Sequence, residues 1–266
     1  MSTASEELDG KHGVQSLEVG MSILRAMVTG RRSMMLKDIA QAAGMPPSKA
    51  HRYLVSLIRS GLVEQDRLTS RYDLGPFALN LGLVALDRVD RIRLGLMAIS
   101  DLRDATNETV ALSVWSEGGP VVVRWERPRR PITVNVVTGT SLSMLRSAGG
   151  RVFAAWLPER QTEALIAREL ESGRTPTGIH DMDDVRTLLA QVREAGMAVV
   201  TGDYFARGVE AAAAPVFNFK NEITMTIAVV GVEGSMDLSP GGATLAALRR
   251  AADDLSRRLG ATPAPD

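Results

Sequence analysis

The sequence predicts an α+β protein built in two parts: a small helical head closed by a β-hairpin, and a larger body of helices packed on an antiparallel-rich sheet. Three observations predict it. Apolar residues recur at three-and-four spacing through the segment from Val14 to Ile58, the period of amphipathic helices. Two short strand-like runs around a polar turn follow at once, between Leu62 and Leu74. Beyond Ala105, β-branched runs punctuated by glycine are interleaved with helical stretches.

In the head, Leu17, Met21, Leu24 and Val28 make the first apolar stripe, with Ser16 as the expected N-cap and Gly30 ending the run. A second short helix carries Leu36, Ile39, Ala40 and Ala43 and closes at Gly44. After Met45-Pro46-Pro47-Ser48 a third helix turns Ala50, Tyr53, Leu54, Leu57 and Ile58 inward and closes at Gly61. Proline is tolerated at a helix start because its missing N–H would be unpaired there. Two short helices joined by a tight glycine turn are a helix-turn-helix arrangement. Leu62–Gln65 and Arg71–Leu74, around a turn at Asp66–Ser70, then add a wing. Pattern alone leaves two readings open, a DNA-binding head or an ordinary three-helix subdomain with a surface hairpin.

In the body, Leu79 to Ala105 has helical spacing, broken by the charge-rich run Asp87–Arg93 between two helices that would serve as linker and dimerisation element. Thr109–Ser116 and Val121–Arg127 read as a hairpin around Gly118-Gly119-Pro120, and Ile132–Val137 as a third strand. Helices are expected at Ala148–Leu157, from Pro158 onward, and at Asp183–Ala195 ending at Gly196. Strands are expected at Ala198–Thr201, Ala212–Phe217 and Ile223–Val232, with Ser239-Pro240 capping a last helix to Leu259. The expected organisation is thus a disordered start (1–12), a winged helix-turn-helix (13–75), linker helices (76–105), a sensor-like body (106–260) and a flexible tail (261–266).

Composition narrows the function classes. Of 266 residues, 45% are hydrophobic and 23% charged, enough apolar material for a packed core. The absence of cysteine removes disulfides and thiolate chemistry. No run approaches the roughly 20 apolar residues of a membrane helix. The opening Ser5-Glu6-Glu7 lacks a basic-then-apolar pattern, so no signal peptide and a cytoplasmic location are expected. Net charge is zero, yet Lys11 to Gly75 holds ten Lys and Arg against Glu18, Asp38, Glu64, Asp66 and Asp73. A basic head on a near-neutral body suits a DNA-reading domain joined to a sensor.

The residues themselves carry more than the pattern. LKDIAQAAGMPPSKAHRYLVSLIRSGLVEQD (36–66), followed by SRYDLGP (70–76), closely resembles the DNA-binding head of the IclR family. The matching positions are Ile39, Ala40, Gly44, Pro46, Ser48, His51, Arg52, Leu54, Leu57, Gly61, Tyr72, Leu74 and Gly75, and Gly13–Glu18 is similarly family-like. Where relatives often carry Lys or Arg after the first proline and Thr two places later, this chain has Pro47 and Lys49. The basic group has therefore moved along the helix start, and operator sequence does not carry over. The reading places Ser48, Lys49 and Arg52 on base edges and phosphates in the major groove. Lys37, Arg67 and Arg71 would lie against the DNA backbone, and His51 is a further candidate contact.

The resemblance continues more loosely to Leu259 and implies a GAF-like effector-binding domain. Leu145–Arg151 aligns with the loop-to-helix segment that helps line the family's pocket; Asp203, Gly208-Val209 and Ala213–Val216 match an acidic residue, a Gly-Val turn and a strand. Leu145 stands where relatives often have His, and Ala211 where they often have Cys, which disfavours a metal-bound or highly polar effector. The expected effector-binding residues are Ser143, Leu145, Arg146, Ser147, Ala148, Asp203 and Ala211, with an inward-facing Arg146 clamping a carboxylate. Trp115 and Trp125 read as core or interface residues rather than ligand-stacking ones.

No enzyme, cofactor or metal site is expected. Of three histidines, His12 and His51 lie in the head and His180 in the body. Gly139-Thr140-Ser141-Leu142-Ser143 lacks the last glycine of a nucleophile elbow. Asp181, Asp183 and Asp184 resemble a metal cluster, but acids at a helix start are expected from the helix dipole alone. The reading is an effector-modulated DNA-binding regulator, a dimer or tetramer with a two-fold operator. The alternatives are a ligand-independent architectural protein and, more distantly, a hydrolase.

Overall fold

The computed structural model describes residues 13–30, 33–129, 138–202 and 208–262. The proposed disordered start, the strand at Ile132–Val137, Asp203 and the end of the tail lie outside them. The chain divides into two compact units, one ending at Val89 and the other beginning at Asp90.

The first unit is three helices and a wing. Helix α1 (Gln15–Thr29) starts one residue before the expected cap. Val14 carries the extended backbone at the N-cap, and its carbonyl accepts from the N–H groups of Leu17 and Glu18, so Ser16 is inside the first turn and caps nothing. Helices α2 (Leu36–Ala42) and α3 (Pro47–Arg59) are joined through Gly44, whose φ of 64° only glycine adopts cheaply. Strands β1 (Val63–Gln65) and β2 (Tyr72–Leu74) pair antiparallel, and Met34 adds a bridge to Tyr72. Ile23, Ile39, Ala50, Leu54, Val63 and Tyr72 form their common core. Gly75 closes the wing where a Cβ would collide with the Gly61 carbonyl oxygen. Helix α4 (Pro76–Asp87) follows.

The second unit opens with α5 (Arg91–Thr106), capped by Asp90 Oδ1, which accepts the Arg93 N–H at 2.9 Å. Its sheet comprises β3 (Thr109–Ser116), β4 (Gly119–Glu126), β5 (Ala198–Val200), β6 (Val209–Phe217) and β7 (Ile223–Val232), in the order β4-β3-β7-β6-β5 with every pair antiparallel. Helices α6 (Ala148–Trp156), α7 (Glu159–Glu171), α8 (Met182–Ala195) and α9 (Ala243–Arg258) complete it.

Among the boundaries that differ from expectation, two in this unit have a visible cause. Strand β6 begins three residues early, at Val209, because its pairing with β7 runs on to Val232. Helix α9 begins at Ala243, so Ser239-Pro240 belongs to the preceding turn. There Asp237 accepts from the Ser239 hydroxyl, the Ser239 N–H and the Ala243 N–H, and these bonds hold its carboxyl below the usual range. An acid reaching forward from before the turn does the work expected of the serine.

Alternation along the strands gives the sheet two unlike faces. One presents Leu112, Val216, Met225, Ile227 and Val229 to Ile99 and Leu102 of α5 and to Leu248 and Leu255 of α9. The other presents Ala111, Ala213 and Ala228 toward Phe153 of α6, Ile166 of α7 and Leu189 of α8. The first face is filled by large side chains. Small ones on the second leave room.

Candidate nucleic-acid interface and ligand cavity

Helix α3 buries Ala50 and Leu54 while Ser48, Lys49, His51 and Arg52 stay exposed. At 100° per residue, Ser48 and Arg52 stack on one outward stripe, and Lys49 and His51 flank it on opposite sides. Arg59, near the far end, falls on that same exposed stripe and was not among the residues picked from sequence. With Pro46 at the N-cap and Pro47 at the first helical position, no side chain caps the helix start. Such an end suits anionic oxygen. Lys37 on α2 and Arg67 in the wing are exposed as well. Arg71 is placed differently: its Nη1 donates to the Ser33 carbonyl at 3.0 Å, tying the wing to the strand-like segment before α2. The wing turn is held by Asp66, whose Oδ1 accepts the N–H groups of Leu68 and Thr69 at 2.7 and 3.0 Å. Those bonds, Thr69 first, keep its carboxyl below the ordinary carboxylate range.

In the body, a cavity opens on the small-residue face of the sheet, beside the start of α6. Its empty space, open solvent at the mouth included, is about 540 Å³. Its walls are mostly apolar, from Ala111, Val122, Leu142, Val200, Ala211 and Ala228 among others. A bulge where β3 passes from Leu112 to Ser113 explains how Val122 and Trp125, three residues apart on β4, both reach this face. Of the residues expected at an effector site, Arg146, Ser147, Ala148 and Ala211 line the cavity. Ser143 and Leu145 do not: Ser143 is bonded to Glu169, and Leu145 is fully buried in the core. Trp115 packs on Phe153 with ring centroids 5.7 Å apart, as a core residue should, but Trp125 is a cavity wall.

The loop entering α6 is tied at nearly every residue. Glu169 of α7 accepts from Ser143 Oγ at 2.8 Å, from the Met144 N–H at 2.6 Å and from the Leu145 N–H at 3.0 Å. Ser147 Oγ donates to the Ser143 carbonyl at 2.6 Å and accepts the Gly150 N–H at 2.9 Å, capping α6. Arg151 Nε donates to the Leu145 carbonyl at 2.6 Å. Sequence reasoning missed Glu169, because a carboxylate 24 to 26 residues from its partners leaves no local signal. Replacing it with Gln keeps one acceptor oxygen but turns an amide toward N–H donors. Glu169→Gln is expected to cost about 1–3 kcal/mol and to weaken any ligand of this cavity; an unchanged melting temperature and affinity would remove Glu169 from that role.

The aspartates at the start of α8 are structural. Asp181 Oδ1 caps the helix by accepting the Asp183 and Asp184 N–H groups, Asp184 accepts the His180 N–H, and Asp183 pairs with Arg186. Among the described residues no helix is long and apolar enough to cross a membrane.

Comparison with known proteins fits this geometry. Residues 16–67 match the model of the IclR helix-turn-helix domain, and residues 84–257 that of the C-terminal domain of bacterial transcriptional regulator IclR. The chain is 30% identical over 260 residues to the glycerol operon regulatory protein of Streptomyces coelicolor, covering 93% of this chain and 97% of that one. Among solved structures it resembles Pseudomonas aeruginosa HmgR, with a TM-score of 0.82 and 36% identity over 94% of this chain and all of the other. It also resembles an IclR homologue of Microbacterium hydrocarbonoxydans complexed with 4-hydroxybenzoate, with a TM-score of 0.55 and 20% identity over 92% and 98% of the two chains.

Proposed function

The chain belongs to the IclR family of DNA-binding transcription regulators, and from that premise we propose that it binds a two-fold operator as a dimer or dimer of dimers. The exposed Ser48–Arg52 face of a helix-turn-helix is the observation that carries the docking. Ser48, Lys49 and Arg52, with His51 beside them, meet base edges and phosphates in the major groove; Lys37, Arg67 and Arg71 track the backbone. Two-fold protein symmetry imposes two half-sites on the DNA. Helix α4 supports self-association, since Phe77, Leu79, Leu81, Leu83 and Val84 are all exposed large apolar residues.

In the proposal the body's cavity takes a small organic acid as effector. Its apolar walls suit such a molecule better than a polyol, and the 4-hydroxybenzoate bound by the Microbacterium homologue is a molecule of this class. The ligand shifts the placement of the heads through α4 and α5, which requires it to prefer one arrangement over the other. The cytoplasm, where operator and metabolite are both found, is the proposed location.

The test is an anisotropy titration of the full chain on DNA flanking its own gene, against a scrambled duplex, with stoichiometry read from the same data. Specific binding about a thousandfold tighter than scrambled, at two chains or a multiple of two per site, is expected. Salt-sensitive binding without preference would favour the architectural reading instead.

A further inference from the structure

Within the cavity proposed above as the effector site, we infer that the ligand is an apolar-bodied monocarboxylate whose oxygens accept hydrogen bonds from Trp125 Nε1 and Ser113 Oγ on the sheet floor. The inference rests on that reading of the cavity and adds what the cavity reads. Trp125 lines it, and the indole N–H is buried without a partner. That group donates and cannot accept. Ser113 also lines it, is 1% exposed, and its hydroxyl makes no hydrogen bond among the described residues. Thr226 sits directly opposite Ser113 in the β3–β7 register, is fully buried, and its Oγ1 is likewise unpaired.

Folded proteins seldom leave such groups unmet, because each one buried without a partner costs about 1–3 kcal/mol. Two such groups on one face of one sheet, with the Ser113 hydroxyl opposite Thr226 and all at or beside one cavity, amount to a donor patch awaiting an acceptor. Ser147, the serine expected from sequence to meet the effector, does not add to it, since its one donor is spent on the Ser143 carbonyl.

The rest of the lining decides the class. Among the described residues it holds no carboxylate that would receive an ammonium, and its one charged side chain is Arg146. Hydrogen-bond donors in an otherwise apolar chamber select an acceptor-only group, such as a carboxylate, on an apolar body. The chamber disfavours an ammonium, because no carboxylate among the described lining residues balances the charge. It rejects polyols because their many hydroxyls would face hydrocarbon.

The experiment is calorimetric titration of the full chain with benzoate and hexanoate, and with toluene, benzylamine and glycerol as contrasts. Three variants accompany it: Trp125→Phe, which keeps the ring and removes the N–H; Ser113→Ala; and Ala228→Leu, which fills the cavity. Each is first required to melt cooperatively. At least one carboxylate should bind the unaltered chain, about tenfold more weakly to Trp125→Phe and to Ser113→Ala, and not measurably to Ala228→Leu. Toluene, if it binds, should bind Trp125→Phe and the unaltered chain alike. Carboxylate affinity unchanged in both Trp125→Phe and Ser113→Ala, but lost in Ala228→Leu, would overturn the inference and leave the cavity standing. Tighter binding of benzylamine, glycerol or toluene than of either acid would overturn the class. Full carboxylate binding by Ala228→Leu, or no binding of any probe, would overturn the effector-site reading together with the inference.

Discussion

Replacing Arg52 with alanine should weaken operator binding by about 10- to 100-fold while leaving the melting temperature where it was. A bidentate guanidinium–guanine pair contributes about 1–3 kcal/mol of discrimination, and Arg52 is an exposed residue on the outward stripe of α3. Its removal strips no buried contact, because the inward face is made by Ala50 and Leu54. The loss should be largest on the true operator and small on scrambled DNA, since a base contact carries sequence information and a phosphate contact does not. Arg71→Ala should behave differently, lowering wing stability as well as affinity, because that guanidinium already holds the Ser33 carbonyl. Unchanged operator affinity of Arg52→Ala at moderate salt would mean that another face of the head meets the DNA.

The second large effect is expected from Gly150→Ala. A Cβ at this position would fall inside the van der Waals radius of the Ser143 carbonyl oxygen, with Ser147 Oγ crowding it as well. A flexible side chain could move aside, but this neighbour is backbone. It is also pinned, through Ser143 Oγ, the Met144 N–H and the Leu145 N–H on Glu169. Relief must break that network or shift the start of α6, at a cost of about 2–3 kcal/mol. For a domain of this size that is a fall of roughly 5–10 °C in melting temperature, measured by calorimetry, together with lost response to whichever ligand the cavity takes. Specific DNA binding should survive, since the head has its own core in Ile23, Ile39, Leu54 and Tyr72. A melting temperature equal to that of the unaltered chain would show that the loop is not held as the hydrogen bonds describe.

Both predictions stand on features of different legibility. The outward stripe of α3 could be read directly, because helical period sorts residues by face once Ala50, Leu54 and Leu57 mark the inside. The crowding at Gly150 could not. The glycine pair Gly149-Gly150 permits a close approach, yet the approaching atom belongs to Ser143 across a loop. From sequence Trp125 reads as a core or interface residue of a strand, not as a cavity wall. A bulge of one residue decided that it faces the cavity, and bulges leave little trace in sequence. Ser147 was picked as an effector residue and does line the cavity, but its hydroxyl serves as the cap of α6. Ser16 and Ser239 fail as caps for a related reason: capping depends on where the backbone leaves helical angles, which residue type alone does not specify.

The sequence by itself determined the elements and their order: three helices and a wing, then a body of paired strands and covering helices, with family motifs running through both. Local propensity and period suffice for that, since each acts within a few residues along the chain. Only the tertiary structure decided which donors lie unpaired beside the cavity, that Glu169 clamps the loop beside it, and that Arg71 also ties the wing to the Ser33 carbonyl. Those outcomes depend on atoms 24 to 38 residues apart for the clamp and the wing, and more than a hundred for Ser113 and Thr226 across β3 and β7. Chain separation of that kind is bridged by packing, and packing is where the chemistry of this site is set.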